Sequence, residues 1–111
     1  MNIDDITIKQ AREIAAMTAG FTTVSPHPWE IGKSYLIRTV TMIDTGILVA
    51  VTEHELVLEE AAWVADTGRF AQAVESASFG EVEPFPAGKV IIGRGSIIDA
   101  VQIKMVPRSQ K

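Results

Sequence analysis

Two segments of this chain are apolar on both faces of any strand they could form. In Ile47 to Val51, the side chains of Ile47, Val49 and Val51 alternate with Leu48 and Ala50, and near the C-terminus Ile97, Val101 and Ile103 are opposed by Ile98 and Ala100. Successive side chains of a strand point to opposite sides, so neither segment suits a sheet with a solvated face. Each face needs a cover, either helices or another copy of the chain. Two short helical patterns cannot cover five strands, so the pattern predicts a homo-oligomer.

The first helical pattern runs from Thr7 to Ala19, opened by a T-x-x-Q capping box at Thr7 and Gln10 and closed by Gly20. Residues 20–32 read as a linker, because Pro26 and Pro28 lack amide protons and hold the backbone extended. From Lys33 the period becomes two. Tyr35 to Ile43 reads as a strand, Asp44-Thr45-Gly46 as a hairpin turn, Ile47 to Thr52 as a second strand, and Leu56 to Val64 as a third after a turn at Glu53-His54. Asp66 is placed to cap a short helix bearing Phe70, Ala73, Val74 and Ala77. Phe79 to Gly88, with two prolines and two glycines, reads as a loop. Lys89 to Ile92 and Ile97 to Ile103 complete five strands, joined by Gly93-Arg94-Gly95.

This order predicts a mainly β fold with some helix: a small bent five-stranded antiparallel barrel with an N-terminal helix and a short inserted helix. A chain of 111 residues buries roughly 65% of its unfolded surface, enough for one core. We therefore expect a single domain over 1–111, with a helix at 7–19, the linker at 20–32, the barrel at 33–103 interrupted by an insertion at 65–88, and a tail at 104–111.

Ten basic and 14 acidic residues give a net charge of −4, which argues against nucleic acid as a partner. The absence of cysteine excludes disulfides, thiolate metal sites and cysteine nucleophiles. The acidic start Met1-Asn2-Ile3-Asp4-Asp5 is unlike a secretory signal, and no apolar run reaches the ~20 residues of a bilayer span, so a cytoplasmic location without a membrane partner is expected.

The segment Val90 to Ile98, an apolar strand, then Arg94-Gly95-Ser96, then an apolar strand, resembles the second half-motif of the Sm-like fold, which includes the bacterial RNA chaperone Hfq. Gly46 and Leu56-Val57-Leu58 match the first half-motif, and the resemblance spans Lys33 to Ile103. It implies an SH3-like barrel that closes into rings. The family members that bind uridine-rich RNA carry a base-reading Asn where this chain has Glu55, a carboxylate that cannot donate and repels phosphate. The insertion from Ala65 to Gly88 is a second departure. Ile31 to Ala100 also looks similar to a family of short phage and prophage proteins.

No enzyme is indicated. His27 and His54 have no partner at metal-ligand spacing, none of Ser25, Ser34, Ser76, Ser78 and Ser96 sits in a nucleophile elbow, and Glu59-Glu60 face apart on a strand. Gly93-Arg94-Gly95 lacks the lysine and helix of a phosphate loop. No cofactor and no metal is expected. Trp63 and Phe70 are assigned to the core, whereas Trp29 and Phe85, flanked by prolines, are assigned to anchoring a loop or a partner.

Three functions compete. The first is a ring-forming scaffold of phage or prophage origin, its copies joined by edge pairing between Leu56 to Val64 and Lys89 to Ile103, with Leu56, Leu58, Val90 and Ile92 in the interface. The second is a small-ligand or nucleotide-binding module, for example a sponge for a host signalling nucleotide, using His54, Glu55, Gly93, Arg94, Gly95 and Ser96. The third is RNA binding in the family's manner, which Glu55 and the net charge oppose. In a pure scaffold Arg94 is expected to be a solvated turn or rim residue.

Overall fold

The computed structural model describes residues 27–111. The helix expected at 7–19 and the first part of the linker lie outside them. Within them the chain forms β1 (Ser34–Thr39), β2 (Ile43–Val51), β3 (Glu55–Asp66), α1 (Phe70–Ser76), β4 (Glu81–Pro84), β5 (Val90–Gly93), a 3-10 turn (Arg94–Ser96) and β6 (Ile97–Ile103). All strand pairings are antiparallel. The sheet runs β4-β3-β2-β1-β6, and β5 also pairs with β3.

Six strands form where five were expected, and the barrel stays open between β5 and β6. The extra strand is β4, inside the segment read as a loop: Val82 backs onto Val64 in register and is buried, and the chain's last residue covers the strand's other edge through reciprocal Val82 and Lys111 backbone hydrogen bonds of 2.9 and 2.8 Å. The tail is therefore docked rather than free.

The bend lies in β3. Its first part, Glu55 to Leu58, pairs with β5 and its last part, Ala62 to Asp66, pairs with β4. Between them the β2–β3 register slips at Gly46, with Thr45 opposite Ala62 and Ile47 opposite Glu59, so that two residues face one. Glu60 sits there at φ 51, a left-handed conformation that a bulge imposes and an L residue rarely adopts. Gly46 is thus a mid-strand bulge partner and not a hairpin residue. The first turn instead falls at Val40 to Met42, held by Thr39 Oγ1, which accepts from the Met42 N–H at 2.9 Å.

The two-faced strands bury their two sides in two clusters. On one side Tyr35, Ile37, Leu48, Leu56, Leu58, Ala61 and Ile92 fill the bend. On the other, Leu36, Ala62, Val64 and Ile103 pack beneath Ala73, Phe79 and Val82 of the insertion. The insertion therefore covers part of the face that the sequence pattern assigned to another subunit. Phe79 is its buried aromatic, at 2% exposure, whereas Trp63 and Phe70, expected in the core, are 40% and 44% exposed. Phe70 instead packs under the Arg38 guanidinium, 5.6 Å from its ring centre. The inserted helix begins without a side-chain cap: Asp66 ends β3, and its carboxylate accepts from the Gly68 N–H at 2.9 Å.

Candidate functional site

The six residues proposed for a ligand site converge. The β2–β3 turn carries Glu53 and His54, and the 3-10 turn carries Arg94, Gly95 and Ser96; pairing of β3 with β5 sets Glu55 opposite Gly93 and so brings the two turns together. The contact is made by Arg94. Its backbone N–H donates to the His54 carbonyl at 2.8 Å, and its guanidinium donates to the Thr52 carbonyl at 2.6 Å and the Glu53 carbonyl at 3.3 Å. Thr52 Oγ1 in turn accepts from the Glu55 N–H at 2.9 Å, and Ser96 Oγ donates to the Gly93 carbonyl at 2.7 Å.

This corrects the reading of Arg94 as a solvated residue. Its guanidinium is a brace between two turns, and the side of the fork bound to carbonyls is lost to a phosphate. Around it, Glu53, His54 and Glu55 are exposed, with the His54 imidazole 3.8 Å from the Glu53 carboxylate. Two carboxylates at the rim oppose an anion. Among the described residues, no three His, Cys, Asp or Glu side chains are grouped to hold a metal.

The interface residues need a second correction. Leu56, Leu58 and Ile92 are buried in the chain's own core and Val90 packs against it, because β3 and β5 pair within one chain. Both edges of β3 are occupied, by β2 on one side and by β5 and β4 on the other, so β3 has no edge to offer a neighbour. Two strands do. Among the described residues β5 pairs only with β3 and β6 only with β1.

Exposed apolar side chains stand on those two strands: Ile91 on β5, 63% exposed, and Ile98 and Val101 on β6, 66% and 37% exposed. The sequence reading assigns the interface to Leu56 and Leu58 of β3 and to Val90 and Ile92, the inward members of β5. The distinguishing signal was present in the alternation, since Ile91 and Ile98 are the residues out of phase with the core positions Ile92 and Ile103. Trp29 anchors the end of the linker as expected: it is half-buried, its ring centre 5.3 Å from that of Tyr35.

No family model and no curated protein matches the sequence. Among solved structures the fold is similar to a heptameric archaeal Sm protein, 21% identical over 66% of this chain and 88% of that one with a TM-score of 0.48. It is also similar to the SmAP1 heptamer of P. aerophilum, 21% identical over 68% of this chain and 84% of that one with a TM-score of 0.49. No helix among the described residues is long and apolar enough to cross a membrane.

Proposed function

We propose that this chain is a non-catalytic, Sm-like, ring-forming homo-oligomer in which β5 of one copy pairs with β6 of the next, serving a scaffold or assembly role in a phage or prophage. The observation that supports the ring is the pair of edges, β5 and β6, that are unpaired among the described residues and carry exposed Ile91, Ile98 and Val101. An uncovered apolar edge templates pairing with another chain, and this one has no proline on either strand to block it. One subunit offers two different edges, so pairing is head-to-tail and closes only as a ring. The resemblance to phage and prophage proteins supports the setting. The RNA and nucleotide readings are weaker, since Glu55 is exposed at the base-reading position and Nη1 of the Arg94 fork is engaged with backbone.

Native mass spectrometry and sedimentation at micromolar concentration test the assembly. The expected result is one closed particle in wild type, insensitive to salt as apolar contacts are, and subunits of 12.0 kDa in an Ile91→Lys/Ile98→Lys variant that keeps its circular dichroism. A wild-type protein that sediments only as a monomer overturns the proposal.

A further inference from the structure

A pocket lies far along the sheet from the two braced turns, on the bend side of β2, β3 and β4. Sheet register builds it: Asp44 stands opposite Trp63, and Trp63 opposite Glu83, so one row across three strands sets an indole between two carboxylates. Register partners share a face. Met42, Pro84 and Phe85 complete a mostly apolar wall around a volume of 390 Å³, within the range of small-ligand sites.

Asp44 is the feature that needs an explanation. It is 9% exposed, opposite Ile37 on its other side, and among the described residues its carboxylate has no hydrogen-bond or ion-pair partner. Burial lifts its carboxyl above the ordinary carboxylate range. The carboxylate lines the pocket and is not sealed from it, so a group stripped of most of its water is open to a partner that enters there. Trp63 and Phe85, each about two-fifths exposed, leave aromatic surface uncovered beside it.

We infer that this pocket binds an organic cation: an alkylated ammonium or guanidinium head set over the Trp63 ring between Asp44 and Glu83, with its apolar body against Phe85 and Pro84. The alternatives fit worse. An anion would meet two carboxylates, and a neutral apolar molecule would leave Asp44 unsatisfied. A hard metal ion takes six or more oxygens, and the pocket offers two side chains that supply them. A cation with a thinly hydrated, partly apolar head is attracted by both the indole face and the carboxylates. The site does not involve the β5 and β6 edges, so it stands or falls apart from ring assembly.

Choline and its uncharged isostere 3,3-dimethylbutan-1-ol separate charge recognition from mere apolar filling. In a Trp29→Phe background, where Trp63 is the remaining tryptophan, indole fluorescence and the indole N–H resonance report on the pocket. Choline should saturate, the isostere should bind at least tenfold more weakly, and Asp44→Asn and Glu83→Gln should each weaken choline about tenfold while leaving particle mass unchanged. An acetylated, amidated arginine serves as the second arm: tighter binding than choline assigns the cation to a polypeptide side chain, weaker binding to a free small molecule. Equal binding of choline and its isostere, no saturation by either cation, or unchanged affinity in Asp44→Asn overturns the proposal, and the retained melting transition of Asp44→Asn shows that a loss is not unfolding.

Discussion

Gly46→Ala tests whether close approach at the bulge is what bends the sheet. A methyl at Gly46 would sit 2.8 Å from Leu58 Cβ, 3.0 Å from Leu58 Cδ1 and 3.3 Å from Ala61 Cβ. Carbons pack at about 3.5 Å or more, so the nearest contact is about 0.7 Å too short. Rotation of Leu58 can move Cδ1 but not Cβ, which is fixed to the backbone, so β2 and β3 have to part. Overpacking of this kind costs about 1–3 kcal/mol. Against it stands the loss of unfolded-state freedom when glycine becomes alanine, worth about 0.4–1 kcal/mol in favour of the variant. Gly46 is not at positive φ, so backbone strain adds nothing. The net expectation is a destabilisation of about 1–2 kcal/mol, a fall in Tm of roughly 4–15 °C for a chain of this size. Urea unfolding followed by tryptophan fluorescence measures it. A Gly46→Ala/Leu58→Ala double variant adds a specific check: because the two side chains compete for one volume, its stability should exceed the sum of the single effects. Wild-type stability in Gly46→Ala, or simple additivity in the double variant, would refute the argument.

Three further outcomes follow from individual side chains. Arg94→Ala removes the brace between the turns and should lower unfolding free energy by about 1 kcal/mol, above the about 0.5 kcal/mol of an idle surface residue, read by chemical denaturation. Thr45→Val should raise stability by about 1 kcal/mol, because the Thr45 hydroxyl is fully buried and has no partner among the described residues, whereas valine fills the same shape without one; a thermal melt decides it. Asp44, whose proton is held more tightly folded than unfolded, contributes stability at pH below the ordinary carboxylate value and loses it as pH rises through its raised value. Wild type should therefore become less stable over that interval relative to Asp44→Asn, in melts taken as a pH series; a constant difference would count against the burial of this charge.

The strands and the inserted helix were readable because alternation and helical spacing record burial directly. β3, β5 and β6 lie close to the expected segments, and the six residues of the turn site fall on two turns that Arg94 joins. What failed depended on tertiary partners. Asp44-Thr45-Gly46 has turn composition, yet pairing with both β1 and β3 holds it extended, and the turn moves to Val40 to Met42, where Thr39 supplies the hydrogen bonds. The same competition explains β4: Glu81 to Pro84 has weak strand character of its own and is recruited by the β3 edge left open beyond the bulge. Trp63 shows the limit of reasoning from residue type, because size suggested the core whereas register sets it in the row between Asp44 and Glu83. The bulge itself had a signal. Glu59-Glu60-Ala61-Ala62 breaks the period-two pattern with two polar and then two apolar residues, which is what an extra residue in a strand produces.

The bulge also determines which surfaces are left for partners. A straight β3 would offer one continuous edge to a single strand. Bent at Glu60, it gives one part to β5 and the other to β4, and the chain between β3 and β4 folds Ala73 and Phe79 over Leu36 and Val64. A face that would otherwise call for a neighbouring copy is thereby covered from within, and the C-terminal residue occupies the outer edge of β4. In the proposed ring, self-association falls to β5 and β6, whose exposed Ile91, Ile98 and Val101 contribute little to either cluster of buried side chains. That proposal assigns fold stability and assembly to different residues. Substitutions at Gly46, Thr45 or Phe79 should act on unfolding, whereas charges at Ile91 and Ile98 should dissociate the particle with the melting transition of the subunit retained. A variant at either isoleucine that unfolded the chain would show that the two are one cooperative unit, and that the subunit does not exist as a folded body outside its ring.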